Sequence, residues 1–245
     1  MEQIISAGLE ELGLTGRVPK DAPALLAQYG QMLLEKNQVM NLTAIRDPEG
    51  VARLHMLDCA ALLKYCDLAG KTLIDVGTGA GFPGMVLKIL VPSLEVTLLD
   101  SLNKRLDWLL ETSGALSAGL YGNVRTIHAR AEEQALVKGY RDSFDFAAAR
   151  AVADLRLLCE LCLPFVKVGG SFLAMKSAGS DPELGSAAHA IKLLGGRIAG
   201  VEDYRIPGTE VVHRLIVIEK VAPTLKGYPR RWAMKSAGSD PELGS

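Results

Sequence analysis

Two carboxylates and a run of glycines are the residues whose types and spacing most plainly point to chemistry. Asp75 stands two residues before Gly77 in the string Asp75-Val76-Gly77-Thr78-Gly79-Ala80-Gly81-Phe82-Pro83-Gly84, and Asp100 closes the apolar run Val96-Thr97-Leu98-Leu99. Glycines permit a tight turn and close approach of a ligand to the backbone, and free N–H groups at a helix start favour an anionic or polar group. A nucleotide-like ligand is expected there. Gly79-x-Gly81-x-x-Gly84 also satisfies the dinucleotide fingerprint, so the glycines alone do not choose the cofactor. The acids do. Asp75 suits the cationic methionine end of S-adenosylmethionine better than a pyrophosphate, and Asp100 can accept both hydroxyls of an adenosine ribose. A plainer reading leaves the glycines as a strand-to-helix turn, Asp75 as its organiser through backbone N–H bonds, and Asp100 as a helix cap.

Further along, Ala131 and Glu132 offer a backbone N–H and a carboxylate that could meet an adenine edge. Glu132 is followed by Glu133, and an exposed acidic pair at a helix start is also ordinary dipole chemistry. The four cysteines, Cys59, Cys66, Cys159 and Cys162, lie in apolar stretches, which predicts reduced thiols rather than a disulfide framework. Cys159 and Cys162 have C-x-x-C spacing but are flanked by leucines, as on the apolar face of a helix. No His or second Cys pair stands nearby at ligand spacing, so no metal is expected.

These groups must be positioned by a parallel sheet. Short apolar runs at Thr72 to Val76, Glu95 to Leu99, Val124 to His128, Phe144 to Ala149 and Ser171 to Met175 alternate with helical patterns at Met85 to Leu90 and Asn103 to Leu116. In the second helix Leu102, Leu106, Leu109 and Leu110 are expected to face inward, and Lys104 and Arg105 water. Two last strands, Arg197 to Ile206 and Val212 to Val221, flank Pro207-Gly208-Thr209-Glu210 and should form a hairpin, adding an antiparallel strand to the sheet. Before Gly70 the pattern is helical, from Asp21 to Lys36, with Asp21 as cap, and from Pro48 to Cys66. The expected organisation is an α/β, Rossmann-like fold: an N-terminal helical segment over 1–69, then a sheet domain over 70–232.

A chain of 245 residues with 49% hydrophobic and 22% charged residues has the composition of a globular protein able to bury its own core. No apolar run reaches the roughly 18 to 20 residues of a spanning helix, and Met1-Glu2-Gln3 lacks a basic signal region, which predicts a soluble, cytoplasmic protein with no membrane partner. The net charge of −1 announces no polyanionic partner, although local clusters of Lys and Arg matter as much as their sum. The thirteen residues Ala174 to Ser186 recur identically as Ala233 to Ser245. Structural repeats are longer, multiple and imperfect, so 233–245 reads as an artefactual tail outside the fold.

Taken in order, Asn41-Leu42-Thr43-Ala44-Ile45, His55-Met56-Leu57-Asp58, the glycine string, Arg150-Ala151-Val152-Ala153 and Tyr228-Pro229-Arg230-Arg231 make the chain resemble the ribosomal RNA small subunit methyltransferase G family, also called glucose-inhibited division protein B. The resemblance spans most of the chain. It implies a class I methyltransferase fold and transfer of a methyl group from S-adenosylmethionine to N7 of a guanine in 16S rRNA, within the small ribosomal subunit. By match to the family motif, Gly77 and Phe82, with Gly79 and Gly81 of the same turn, should line the methionine end and Ala131 and Glu132 the adenine. Arg150 should form the floor of the active site, and Asp100 should face the ribose. Ser177 replaces the family's usual glycine after Lys176, and Trp232 with the copied peptide replaces its basic tail, which puts RNA contacts at that end in doubt.

Guanine N7 carries an in-plane lone pair and no proton, so this reaction needs alignment rather than a general base. Arg150 is the expected guanine holder, through O6, a phosphate or the cofactor carboxylate. Its alternative is a structural ion pair with Asp145 or Asp154. Asn41, Thr43, His55 and Asp58 are polar candidates for closing over cofactor and base, with Asn41 and His55 placed beside Arg150 in the catalytic set. Lys226, Tyr228, Arg230 and Arg231, with Arg17, Lys20, Arg46 and Arg53, are candidates for RNA phosphates or stacking; a solvated basic tail is the plain reading. The rival functions are a methyltransferase for proteins or small molecules, a non-catalytic nucleotide- or RNA-binding module and, more remotely, a nicotinamide oxidoreductase.

Overall fold

The computed structural model describes residues 1–116, 124–150 and 153–230. The copied segment 233–245, Arg231 and Trp232, and Ala151 and Val152 lie outside the described residues. The chain opens with two helices, α1 (Glu2–Glu11) and α2 (Ala22–Met40). One helical run follows, α3 (Pro48–Val51), a π-helical turn (Ala52–Leu57), α4 (Asp58–Ala60) and a 3₁₀ turn (Ala61–Lys64). Asp47 caps it, accepting a hydrogen bond from Gly50 N at 2.7 Å. Asp21 precedes α2 but makes no side-chain cap bond, so the expectation of a cap there is corrected; Pro23 at the helix start needs no N–H partner.

The remainder alternates strand and helix: β1 (Thr72–Val76), α5 (Gly84–Leu90), β2 (Glu95–Asp100), α6 (Asn103–Leu116), β3 (Val124–His128), α7 (Ala131–Gln134), β4 (Phe144–Arg150), α8 (Leu155–Cys162), β5 (Val166–Ser177), α9 (Asp181–Leu193), β6 (Gly196–Arg205) and β7 (Val212–Lys220). The seven strands lie in the order β3-β2-β1-β4-β5-β7-β6. β1 to β5 pair in parallel and β7 inserts antiparallel between β5 and β6. The hairpin therefore places its second strand inside the sheet and its first at the edge. β5 is longer than expected because Val166 pairs with Phe144 ahead of an irregularity in the ladder.

In α6 the buried side chains are Leu106, Trp108, Leu109, Thr112, Ser113 and Leu116. Leu102 and Leu110 are 43% and 44% exposed, correcting the expected inward face. Trp108 takes that place because it stacks with Tyr29 of α2, ring centroids 6.2 Å apart. The early helices do not form a core of their own. Ile5, Leu9, Leu26 and Leu33 share one apolar cluster with Leu73, Met85, Leu98 and Leu173 from the sheet and its helices. Two buried lysines tie off chain ends: Lys88 Nζ donates to Pro92 O and Leu94 O, and Lys220 Nζ to Leu163 O and Asp142 Oδ1. Among the described residues, no helix is long and apolar enough to cross a membrane.

Because the helices and the sheet share that cluster, Leu26→Ala should cost about 2–5 kcal/mol. The thermal transition is expected to move down as a single step, read by differential scanning calorimetry; a separate early transition would show the helices to be an independent unit.

Candidate active site

In a mostly parallel sheet, ligands bind beyond the carboxyl ends of the strands where the chain reverses its lateral progress. Here β1 is followed outward by β2 and β3 on one side and by β4 on the other. A cavity of about 630 Å³ lies at that edge, lined by Thr43, His55, Asp58, Gly77, Gly79, Phe82, Asp100, Ala131, Glu132, Arg150 and His213 among others. Its walls come from both the helical prelude and the sheet.

The glycine turn is held from behind. Gly77 N and Thr78 N donate to Leu99 O at 2.8 and 3.0 Å, and Gly79 N donates to Asp100 Oδ2 at 2.9 Å. Gly77, Gly79 and Gly81 all have positive φ, a region open to glycine at no steric cost. At Gly81 a Cβ would also come within 2.8 Å of Leu109 and Met85. Asp75 is fully buried and does not line the cavity; its Oδ2 accepts from Thr78 Oγ1 at 2.7 Å and Gly84 N at 2.8 Å. Asp75 Oδ2 thus braces the turn, as in the plainer of its two readings, while its buried Oδ1 has no hydrogen-bond partner among the described residues. Burial pushes its carboxyl up to about 6, partly offset by those bonds and by Arg150.

Asp100 does face the cavity, and it holds the backbone as well: Oδ1 accepts from Leu102 N at 2.9 Å, and Arg105 Nη1 lies 3.4 Å from Oδ2. Glu132 is buried, unlike the exposed acidic pair considered above, and its Oε1 has no hydrogen-bond partner. A desolvated acceptor of this kind is offset only by a donor from a bound molecule or water. Ala131 lies beside it on the same wall.

At the other end of the cavity, Arg150 leaves the end of β4. Nη1 donates to Leu54 O and Asp58 Oδ2, both at 3.1 Å, and Nη2 donates to His55 Nδ1 at 3.0 Å. Its guanidinium carbon sits 4.8 Å over the Phe82 ring. The partner is thus Asp58. Asp145 instead pairs with Lys167 and Thr72, and Asp154 caps α8 through Leu157 N. Of the five N–H donors on a guanidinium, three are engaged by partners among the described residues, which leaves two.

His55 packs against Phe82 with ring centroids 4.5 Å apart. Nδ1 lies 3.0 Å from Arg150 Nη2, which can only donate, and 3.1 Å from Leu54 O, which can only accept, and Nε2 lies 2.8 Å from Thr43 Oγ1. Both ring nitrogens are committed, and burial, then the Arg150 charge, lowers the ring to about 4. Asn41 is exposed, outside the cavity lining, with φ of 50° where α2 ends. It shapes the chain reversal, which corrects its catalytic placement. The residue that braces this loop is Asn37, giving Nδ2–H to Thr43 O and accepting from Thr43 N, both at 2.9 Å.

The sequence reading missed Tyr204 and His213. Tyr204 Oη and His213 Nδ1 both lie 2.8 Å from Asp58 Oδ1, an arrangement for which no spacing signal exists across about 150 residues. Asp58 is fully buried, which alone would raise its carboxyl. The His213 hydrogen bond and the Arg150 charge outweigh burial and hold it below the usual carboxylate range. Of the basic candidates, Arg230 is bound to buried Glu160 at 2.8 Å, Arg17 to Leu63 O at 3.0 Å and Arg53 to Glu49 and Pro207 O. Tyr228 is half-buried against the core. Lys20, Arg46 and Lys226 are exposed. Cys159 and Cys162 are free thiols buried in the core, and no metal-holding cluster occurs among the described residues.

The depressed His55 predicts a pH dependence. An unfolded imidazole takes its proton near 6.5 and the folded one near 4, so the unfolded chain binds more protons between those values and stability falls as pH drops from 6.5 to 4. Asp75 works in the opposite sense, its folded form holding a proton up to about 6. His55→Gln should remove only the first effect. Urea unfolding at pH 4.5 and 7 should show the wild type losing up to about 3 kcal/mol more than the variant on acidification; parallel losses would mean that the ring is not depressed.

Residues 23–209 match the family model GidB, rRNA small subunit methyltransferase G. A protein named ribosomal RNA small subunit methyltransferase G from Clostridium beijerinckii is 44% identical over 229 residues, 93% of this chain and 94% of that protein. One of the same name from Lachnoclostridium phytofermentans is 46% identical over 203 residues, 82% and 83% of the two. Among solved structures, geranyl diphosphate C-methyltransferase from Streptomyces coelicolor and TrmN from Thermus thermophilus each give a TM-score of 0.50 over 66% of this chain, at 14% and 22% identity, covering 78% and 48% of those chains. These similarities show the fold, which is the Rossmann-like class I methyltransferase architecture. By the family model and by identity over nearly its whole length, the chain belongs to the rRNA small subunit methyltransferase G family.

Proposed function

We propose that this protein transfers a methyl group from S-adenosylmethionine to N7 of a guanine in 16S rRNA, presented within the small ribosomal subunit. Family membership carries S-adenosylmethionine-dependent methylation of ribosomal RNA. The position on the base and the form of the substrate are supported by the chemistry of the cavity. S-adenosylmethionine, when bound, supplies a methyl group on a cationic sulfur.

The residues present fit that cofactor. Asp100 offers carboxylate oxygens where β2 ends, suited to ribose hydroxyls, and the orphaned Glu132 Oε1 suits the exocyclic amino group of an adenine. The turn at Gly77, Gly79 and Gly81 leaves space for a ligand against the backbone, and Phe82 closes the wall between it and Arg150.

The carrying observation is Arg150. It is held rigidly by Asp58, Leu54 and His55 yet retains two N–H donors in a wall of the cavity. Those donors match O6 of a guanine or a neighbouring phosphate, and leave N7, which must keep its lone pair free, unprotected by any donor. His55 has both nitrogens occupied and takes no proton from a substrate. Positioning is the work left to the protein, as a nucleophile without a proton requires. Thr43, His55 and Asp58 from 1–69 and Arg150 and His213 from 70–232 build one wall together, so the two segments act as one catalytic unit. The near-zero net charge favours a substrate already organised by ribosomal proteins over naked RNA.

The test is incubation with radiolabelled S-adenosylmethionine and either small subunits or stripped 16S rRNA, followed by nucleoside analysis. Label should appear as 7-methylguanosine, preferentially on subunits, and Arg150→Ala should lower the rate by about a hundredfold or more, on the scale of losing a charged, transition-state-aligning contact. Cofactor binding with no label in either RNA would remove the reading in favour of another methyl acceptor.

A further inference from the structure

We propose that His213 is a specificity-determining residue that accepts a hydrogen bond from N1–H of the target guanine, with Asp58 as the positioning residue that aims it; this rests on the guanine reading above. β7 runs antiparallel to its neighbour β5, so its first residues lie at the same edge of the sheet as the ends of the parallel strands. His213, near the start of β7, therefore lines the cavity with Arg150. Its side chain is 32% exposed while Asp58 is fully buried.

The hydrogen bonds determine what His213 can present. Asp58 is a charged acceptor, so His213 Nδ1 carries a proton and donates it to Oδ1 at 2.8 Å. In the neutral ring the remaining nitrogen, Nε2, is an acceptor. Tyr204 fixes the plane of the His213 ring: its hydroxyl shares the same Asp58 oxygen, and the two rings meet edge to face at 6.4 Å and 83°. Asp58 Oδ2 meanwhile holds Arg150. One buried carboxylate thus holds a donor and an acceptor in the lining of the same cavity.

That pair matches guanine and opposes adenine. Guanine carries the acceptor O6 next to the donor N1–H, whereas adenine carries an amino donor next to the acceptor N1. The lateral order of the strands extends the match. Along the edge of a guanine the atoms run N7, O6, N1; across the sheet the groups run from the glycine turn on β1, to Arg150 on β4, to His213 on β7. With O6 on Arg150 and N1–H on His213, N7 faces the turn and the cofactor end of the cavity.

Two variants separate this role from its rivals. His213→Asn keeps a donor near the Nδ1 position for Asp58 but has nothing at Nε2; His213→Gln brings an amide oxygen to the Nε2 region but cannot take a proton. Methylation of small subunits is followed for both, with cofactor affinity and Tm measured in parallel. His213→Asn should lower kcat/KM by about tenfold to a hundredfold with cofactor affinity and Tm retained, and His213→Gln should recover at least half of that loss on a logarithmic scale. Unchanged activity in His213→Asn overturns the proposal. Equal loss in both variants with the cofactor still bound overturns it in favour of a proton-accepting imidazole, and loss of cofactor binding or folding in both overturns it in favour of a structural role. A wild-type protein that labels no guanine is a different result: it removes the guanine reading itself.

Discussion

Asp58 sits at the junction on which one wall of the cavity depends. Its carboxylate is fully buried and accepts hydrogen bonds from Arg150, Tyr204 and His213, which come from β4, β6 and β7. A buried ion pair is a poor source of net stability, since desolvation of both charges cancels much of their attraction. Removing one partner is costly, because the other charge is left buried alone. The arrangement therefore specifies geometry more than it stabilises. It forces a helical segment near the start of the chain to sit over the ends of three strands, and it does so at the place where Arg150 must be rigid.

The cofactor end follows a similar logic with different parts. Asp75 and Asp100 lie at or near the ends of adjacent strands and both bind backbone N–H groups of the glycine turn or the helix after it. The two acids then part in role. Asp75 is enclosed behind the turn, with its carboxyl pushed up, while Asp100 keeps a face on the cavity. Glu132 completes that end with an oxygen left unpaired in the protein. Aromatic rings join the two ends: Tyr29 gives its hydroxyl to Ala80 O and packs on Phe82, and Phe82 in turn carries His55 on one side and Arg150 over its ring. Adjustment of the turn is thus felt by the guanidinium through contact, in a packed interior that transmits small displacements.

Much of this was legible before any coordinates. Strands with apolar runs and a glycine string between strand and helix are local patterns, written in periods of two and 3.6 residues, and β1 to β4, α5 and α6 fall where those patterns put them, while α1, α9 and the start of β5 were not expected. Errors occurred where a second layer competes for a face. In α6 the inward side is set by Trp108 stacking on Tyr29 of a distant helix, which no hydrophobic count within α6 can reveal. Asn41 stands in a polar loop suited to a site, yet its left-handed backbone makes it the end of α2, with Asn37 bracing the loop instead. Arg230 reads as a free cation until Glu160, seventy residues earlier, is found beneath it.

The amino-acid sequence by itself determined the fold class, the glycine turn, Asp100, Glu132 and Arg150 as residues of interest, and the family, because each rests on a short-range pattern or on an ordered set of motifs. Only the tertiary structure decided what these residues touch. That Asp75 Oδ2 bonds the turn, which carboxylate pairs with Arg150, and that His213 lines the cavity depend on contacts between chain segments up to about 150 residues apart. Hydrogen-bond partners across such separations are fixed by the order of strands in the sheet and by the packing of the early helices on it, and neither leaves a periodic trace along the chain.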